Sequence, residues 1–357
     1  MTTTLSTRTR TRTRARAPAP DRAAGGRVTV SRLGWLAVAV TVAALCAVAS
    51  VGLGTRVIAL GDVVAAFTGT EDGIAQAAVL RRVPRTLLAL LVGAALGLAG
   101  AVMQGVTRNP LADPGILGVT TGAALAVVVS LAFLGVTDPT TTIWVAIAGA
   151  AVTAVGVYAI GSLGRGGATP LKLTLAGAAT SAAGTSLISA VLLPRVDVMQ
   201  AFRFWQIGGV GGATPAKLSL VLPFLLVGAV LSLAASRGLN TLALGDELAA
   251  GLGERVAVTR ALAATGAVVL CGAATAVAGP IGFVGLVVPH VCRLLIGSDH
   301  RWLLPAAAIV GGALLTAADV VGRVVARPEE IDVGIVTALL GAPAFIAIVR
   351  RQKVRAL

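Results

Sequence analysis

The residues able to do chemistry are few, and their spacing excludes more than it allows. Lys172, Lys217 and Lys353 follow Leu, Ala and Gln, so the chain has no Gly-Lys-Ser/Thr ending of a phosphate-binding loop and is not expected to hydrolyse ATP itself. Cys46, Cys271 and Cys292 show no Cys-x-x-Cys spacing, and His290 and His300 stand apart with no carboxylate cluster between them. Neither set reads as a metal site or a disulfide framework, and no cofactor is expected. Asp319 is the one acid clearly inside an apolar run. Arg323, four residues on, is its expected ion-pair partner on a helix. Ion-driven transport calls for several such acids as stepping stones, so proton or sodium coupling is disfavoured.

The elements that hold these residues are membrane spans. Of the 357 residues, 56% are hydrophobic and 12% charged, and the mean hydropathy is +0.92, which is outside the range of soluble domains. A spanning helix needs roughly 20 apolar residues. About ten such stretches are expected: Trp35 to Gly54, Thr86 to Gly105, Ile116 to Val136, Ile143 to Leu163, Leu173 to Leu193, Leu218 to Ser236, Val258 to Ala278, Ile281 to Ile296, Trp302 to Val325 and Val333 to Val349. The eighth is short and contains Pro289. The fold class is therefore all-α, a polytopic membrane protein.

A formal charge of +14 reports orientation here rather than nucleic-acid binding, because loops rich in Lys and Arg stay in the cytoplasm. With the N-terminus inside, most of the 29 basic residues fall on inner segments, and both termini are expected to be cytoplasmic. Residues 1–34, with alternating Thr and Arg, form a basic tail without apolar periodicity, expected to be disordered and to touch anionic lipid. They are expected to make neither an amphipathic transit peptide nor a cleaved signal peptide. Residues 35–350 form the membrane domain, and 351–357 a short cytoplasmic tail.

Gly93 with Gly97, and Ser181 with Thr185, are small-xxx-small pairs expected to pack helices closely. Thr180, Ser181, Thr185, Ser186 and Ser189 are also candidates for lining a path through the bundle. Arg108, Asn109, Pro110, Asp113 and Pro114 crowd two prolines into one connection, which predicts a rigid turn. Between the sixth and seventh spans, Asp246 is expected to cap a short helix that Gly251 to Gly253 would break. Arg82 and Arg85 flank Pro84 at the expected start of the second span, where the helix dipole disfavours cations unless an external carboxylate answers them.

Longer strings carry a resemblance. Arg82-Val-Pro-Arg-Thr-Leu87, Gly100-Ala-Val-Met-Gln-Gly105, Thr107 to Gly118, Gly279-Pro-Ile-Gly-Phe-Val-Gly-Leu-Val-Val-Pro-His290 and Gly341-Ala-Pro-Ala-Phe345 resemble, in order, the signatures of the FecCD family. These are permeases of type II ABC importers for iron-siderophore complexes, haem and cobalamin. Leu173 to Gly177, Arg203-Phe-Trp-Gln206, Asp299 to Trp302 and Gly322 to Val324 are most similar to a ferric siderophore permease.

The resemblance implies a bacterial inner-membrane permease that passes ferric siderophores to the cytoplasm. It implies a second permease subunit, identical or similar, two ABC ATPase subunits and an extracytoplasmic siderophore-binding protein. Arg82, Arg85 and Arg323 would receive acidic residues of the binding protein. Leu244, Gly245, Asp246, Glu247, Leu248, Ala249, Gly251, Leu252, Gly253 and Glu254 would form the loop that docks into the ATPase. Thr169 and Pro170 lie near the expected inner gate. The second to fifth spans would repeat the seventh to tenth in inverted orientation, and Arg203 to Gly208 would lie as a short surface helix. Cobalamin or haem as cargo is the alternative within the family, and an ion-coupled secondary transporter is the alternative outside it.

Overall fold

The computed structural model describes residues 22–54, 61, 73–164 and 169–355, and regular structure among them is helical throughout. In chain order the helices are α1 (Arg22–Gly52), α2 (Ile74–Thr107), α3 (Val119–Phe133), α4 (Pro139–Ser162), α5 (Pro170–Leu192), α6 (Val196–Ile207), α7 (Pro215–Ala234), α8 (Ser236–Leu242), α9 (Asp246–Gly251), α10 (Val256–Ala278), α11 (Val284–Ile296), α12 (His300–Val325) and α13 (Val333–Arg355). Local chemistry sets several of the starts. Asp138, Thr169, Thr214 and Asp299 each accept a hydrogen bond from a backbone N–H of the following first turn, and the first three are followed by proline. A short polar side chain satisfies an orphan donor there, and proline has no N–H to leave unsatisfied.

Among the described residues seven helices, α1, α2, α4, α5, α7, α10 and α12, are long and apolar enough to cross a membrane. The apolar parts of α3, α11 and α13 are shorter. All ten expected stretches fall on these helices. The shortening of α11 has a visible cause: Gly279 to Phe283 runs non-helically, with Phe283 at φ 67°, and helix resumes only at Val284. Irregular backbone at this depth is tolerated where protein covers it, and Ile281 and Val284 are buried.

The expected N-terminal boundary needs correction. Helix α1 begins at Arg22 rather than near Trp35, so residues 22–34 are helical; residues 1–21 lie outside the described residues. Arg32 fastens this extension, donating from Nε to the Ile296 carbonyl at 3.1 Å and pairing with Asp299 at 3.5 Å.

The centre of the bundle is α2, packed against α12, α10 and α11. In lipid no hydrophobic effect pulls helices together, so close approach through small residues does that work. A Cβ on Gly93 would lie 2.3 Å from the Gly311 carbonyl oxygen, and one on Gly97 would lie 2.3 Å from that of Ala307. The expected Gly93/Gly97 pair therefore forms the α2–α12 contact. Ser181 and Thr185 do not repeat it, because Thr185 is exposed. The tightest approach is Gly100, where a Cβ would lie 1.9 Å from the Gly285 oxygen on α11. Gly100→Val is expected to exceed the about 1–3 kcal/mol usual for overpacking, since backbone cannot step aside. Size-exclusion of the detergent-solubilised variant should show loss of the monodisperse peak.

Candidate functional site

Two ends of the bundle and one helix face carry the expected functional residues. At the first end, Arg82, Arg85 and Arg323 do converge, but on partners within the chain. Arg323 is 2% exposed. It pairs with Asp319 at 3.0 Å, donates from Nη1 to the carbonyls of Ser50 and Leu53 (both 3.0 Å) and from Nη2 to Ser50 Oγ (2.7 Å). Arg82 is also buried and donates to the carbonyls of Val51 and Gly52. Arg85 lies against the other side of Asp319, 2.8 Å from Oδ1, and reaches Glu330 at 2.7 Å.

The expected α-helical pair Asp319–Arg323 is therefore present, and Arg85 makes it a triad. The dipole argument for Arg82 and Arg85 needs correction: α2 starts at Ile74, so both lie beyond its positive first turn. What Arg82 and Arg323 meet is the last turn of α1, whose orphan carbonyls form the negative end of that helix. Ser50 and Thr86, whose hydroxyls lie 2.7 Å apart, complete the network. Sequence spacing carries no signal for partners that come from three different helices. The exposed rim above the buried cluster holds Arg81, Arg327, Glu329 and Glu330. Helix α6 is the expected short helix at Arg203, with Phe202 buried and stacked on Trp205. The Gly211 backbone that follows it lies beside the Arg85 guanidinium.

At the opposite end, α8 and α9 form a helix-turn-helix knob before α10. Gly245, at φ 105°, caps α9, so Asp246 occupies its first turn rather than the cap position. Asp246 instead binds Arg260 at 2.8 Å and Arg108 at 3.2 Å, tying the knob to α10 and to the end of α2. Gly251 ends α9 and Gly253 turns the chain at φ 86°, as expected. Glu254 accepts from the Thr259 hydroxyl. Ala249 is buried, whereas Leu244, Leu248 and Leu252 are 56%, 63% and 69% exposed. Leu244 stands in the turn before α9, Leu248 on α9 and Leu252 just past its end, so the knob presents three exposed leucines, with exposed Glu247 beside Leu248.

The turn at 108–118 is ordered by its own side chains. Asn109 Oδ1 accepts from the Leu111 N–H and Asp113 Oδ1 from the Gly115 N–H, both Asx-type contacts, and Pro114–Leu117 is a 3-10 turn. The segment folds back into the bundle, because Asp113 Oδ2 lies 3.0 Å from where a Gly285 Cβ would stand. Thr169 caps α5 and Pro170 opens it; the residues just before, 165–168, lie outside the described residues.

Helix α5 packs on α3 and α4 and leaves its other side uncovered. That side bears a groove of about 660 Å³ lined by Ser181, Ala182, Thr185, Ser186, Ser189, Ala190 and Leu193. Thr185, Ser186 and Ser189 each donate to the carbonyl four residues back. The hydroxyls are thus satisfied within the helix and present only acceptor lone pairs outward.

Comparison with known proteins follows the same outline. A family model described as the FecCD transport family matches residues 41–351. The ferric enterobactin transport system permease protein FepD of Escherichia coli (strain K12) is 44% identical over 301 residues, covering 84% of this chain and 90% of that protein. The hemin transport system permease protein HmuU of Yersinia pestis is 39% identical, covering 80% and 86%. A solved structure of a metal-chelate type ABC transporter in an inward-facing conformation aligns with a TM-score of 0.78 at 30% identity, over 89% of this chain and 99% of that one.

Proposed function

The chain belongs to the FecCD transport family, and from that premise we propose that it passes ferric siderophore complexes through the inner membrane, with the leucine knob facing the cytoplasm. As a member of this family it is the membrane permease of an ABC importer and not itself an enzyme; a separate subunit hydrolyses ATP. The siderophore assignment rests on FepD, the ferric enterobactin permease, at 44% identity. Haem as cargo is the second reading, supported by HmuU at 39%, and cobalamin is the further alternative within the family.

The observation that carries the mechanism is the exposed leucine set Leu244, Leu248 and Leu252 on the knob around α9, which Asp246 tethers. Three leucines held out from a membrane protein's polar end need an apolar cleft on a partner. In this reading the partner is the ATPase subunit. Asp246, clamped by Arg108 and Arg260, converts a push on the knob into a push on α2 and α10 together.

At the other end the binding protein meets the rim of Arg81, Arg327, Glu329 and Glu330. Arg82, Arg85 and Arg323 serve docking from below by fixing the ends of α1, α2 and α12 that carry that rim. The uncovered hydroxyl face of α5 lines the path between this subunit and a second permease, with Thr169 and Pro170 at its cytoplasmic mouth. A wall offering acceptors without strong ligands suits cargo that must leave as readily as it enters.

The test is uptake of radiolabelled ferric enterobactin, with labelled cobalamin and haem in parallel, in cells carrying or lacking the gene. Loss of ferric enterobactin uptake alone supports the proposed cargo, and loss of only cobalamin or haem uptake replaces it. A bulky Thr185→Trp change is expected to bring uptake down to the level of the deletion strain while ATP hydrolysis by the assembled complex continues. Transport at the wild-type rate would remove α5 from the path.

A further inference from the structure

Near the knob, between the N-terminal half of α1, the end of α2 and the α11–α12 junction, lies a cavity of about 580 Å³. Arg32, Gln104, Arg108, Arg293, Ser298 and Asp299 are among its lining residues. Three guanidinium groups therefore face one space with a single carboxylate. Asp299 pairs with Arg32, and Arg108 has Asp246 on its far side. Burial alone would raise the Asp299 carboxyl, but hydrogen bonds from Asn240 and the Arg301 N–H, with the charges of Arg32 and Arg301, hold it below the usual carboxylate range. Asp299 thus stays ionised and is already engaged.

Arg293 is different. Its Nη2 donates to the neutral Gln104 Oε1. Its Nη1 is buried with no acceptor among the described residues, and no carboxylate among them pairs with it. A largely desolvated guanidinium without a counter-charge is costly, and proteins place such groups where an anion completes them. Gln104 cannot turn away to make room, because its amide holds the carbonyls of Gly285 and Leu286 at 3.3 Å. The deficit is therefore a fixed feature of the α2–α11 contact.

We propose that this cavity binds a phosphate-bearing anion, presented by a lipid headgroup or free in solution, with Arg293 supplying the uncompensated charge and Arg108 and Arg32 the rim. The planar fork of arginine matches phosphate oxygens in pairs. The depth suits a headgroup: Trp35, 40% exposed on α1 within a turn of Arg32, is the kind of aromatic that sits at the membrane–water boundary. Basic pockets between helices at that depth are suited to anionic lipids. Arg108 links the cavity to the knob through Asp246, so an occupant would brace the same contact that transmits the ATPase stroke.

The test uses the full chain, delipidated in detergent, with two variants. Arg293→Gln removes the charge. Ser298→Glu, at an exposed lining position, leaves the packing alone and supplies an internal carboxylate to the cavity, so it remains informative if Arg293→Gln fails to fold. Native mass spectrometry with phosphatidylglycerol and phosphatidylcholine is expected to show the anionic lipid bound at least about fivefold more tightly by the wild type, the worth of one arginine near a headgroup, with that preference lost in both variants. That result identifies a lipid headgroup. If inorganic phosphate, and not chloride at equal ionic strength, raises the thermal midpoint of the wild type but of neither variant, the site takes free phosphate. If neither ligand distinguishes the wild type from Ser298→Glu, the proposal is wrong, and a carboxylate of the ATPase subunit becomes the candidate occupant.

Discussion

Asp319→Asn should lower the stability of the detergent-solubilised protein by about 3–5 kcal/mol, the usual cost of leaving a buried charge without its partner. Here the cost falls on two cations. Asp319 is 1% exposed and is the acid shared by Arg323 and Arg85, so its neutral isostere keeps the shape and removes the counter-charge from both. The check is the thermal midpoint together with a double-mutant cycle against Arg85→Met. Strong coupling, with the double variant less damaged than the sum of the singles, is the expected outcome. Glu330, 41% exposed on its side chain, should by contrast cost no more than about 1 kcal/mol when removed, as solvent screens an exposed pair. A midpoint unchanged by Asp319→Asn would mean that water, not the arginines, neutralises this acid.

Leu248→Glu should separate the permease from its ATPase while leaving the fold intact. The side chain is 63% exposed and is the one of the three leucines that lies within α9, whereas Ala249 beside it is buried. A charge there touches nothing inside the chain. Removal of a central apolar anchor typically costs about 2 kcal/mol or more of binding, which is roughly a thirtyfold weaker complex. Co-purification of the two subunits reads this directly, with the size-exclusion profile of the lone permease as the control for folding. Asp246→Asn should act differently. It loosens the knob from Arg108 and Arg260 without touching the exposed leucines, so assembly should persist while hydrolysis ceases to drive uptake.

What the sequence made legible follows from period and composition. Each apolar stretch became a helix because unbroken Ala, Val, Leu and Gly leave the backbone no other way to satisfy itself in lipid. The Asp319–Arg323 pair was readable because both residues lie on one helix at a fixed spacing. The Gly93–Gly97 contact was readable for the same reason. The partners of Arg85 were not, since Asp319 and Glu330 lie more than 230 residues away and a long side chain can reach several helices. The position of Asp246 turned on Gly245 adopting a positive φ, a choice only the tertiary context makes. The start of α1 was misread because polar Arg and Thr residues suggest a tail, whereas Arg32 holds a polar helical extension against α11 and α12. The cavity at Arg293 left no trace in spacing, as its cations come from three separate segments.

The central claim is that ATP, through the knob, drives passage of a metal chelate. Its most direct measurement is ferric enterobactin accumulation in proteoliposomes holding this permease with its ATPase and binding protein, with ATP inside or outside the vesicle and with no ion gradient imposed. Accumulation that requires ATP on the knob side and the binding protein on the other, and that disappears with Leu248→Glu, is the predicted result. Accumulation by the permease alone that is indifferent to ATP, and that appears when a proton or sodium gradient is then added, would contradict it.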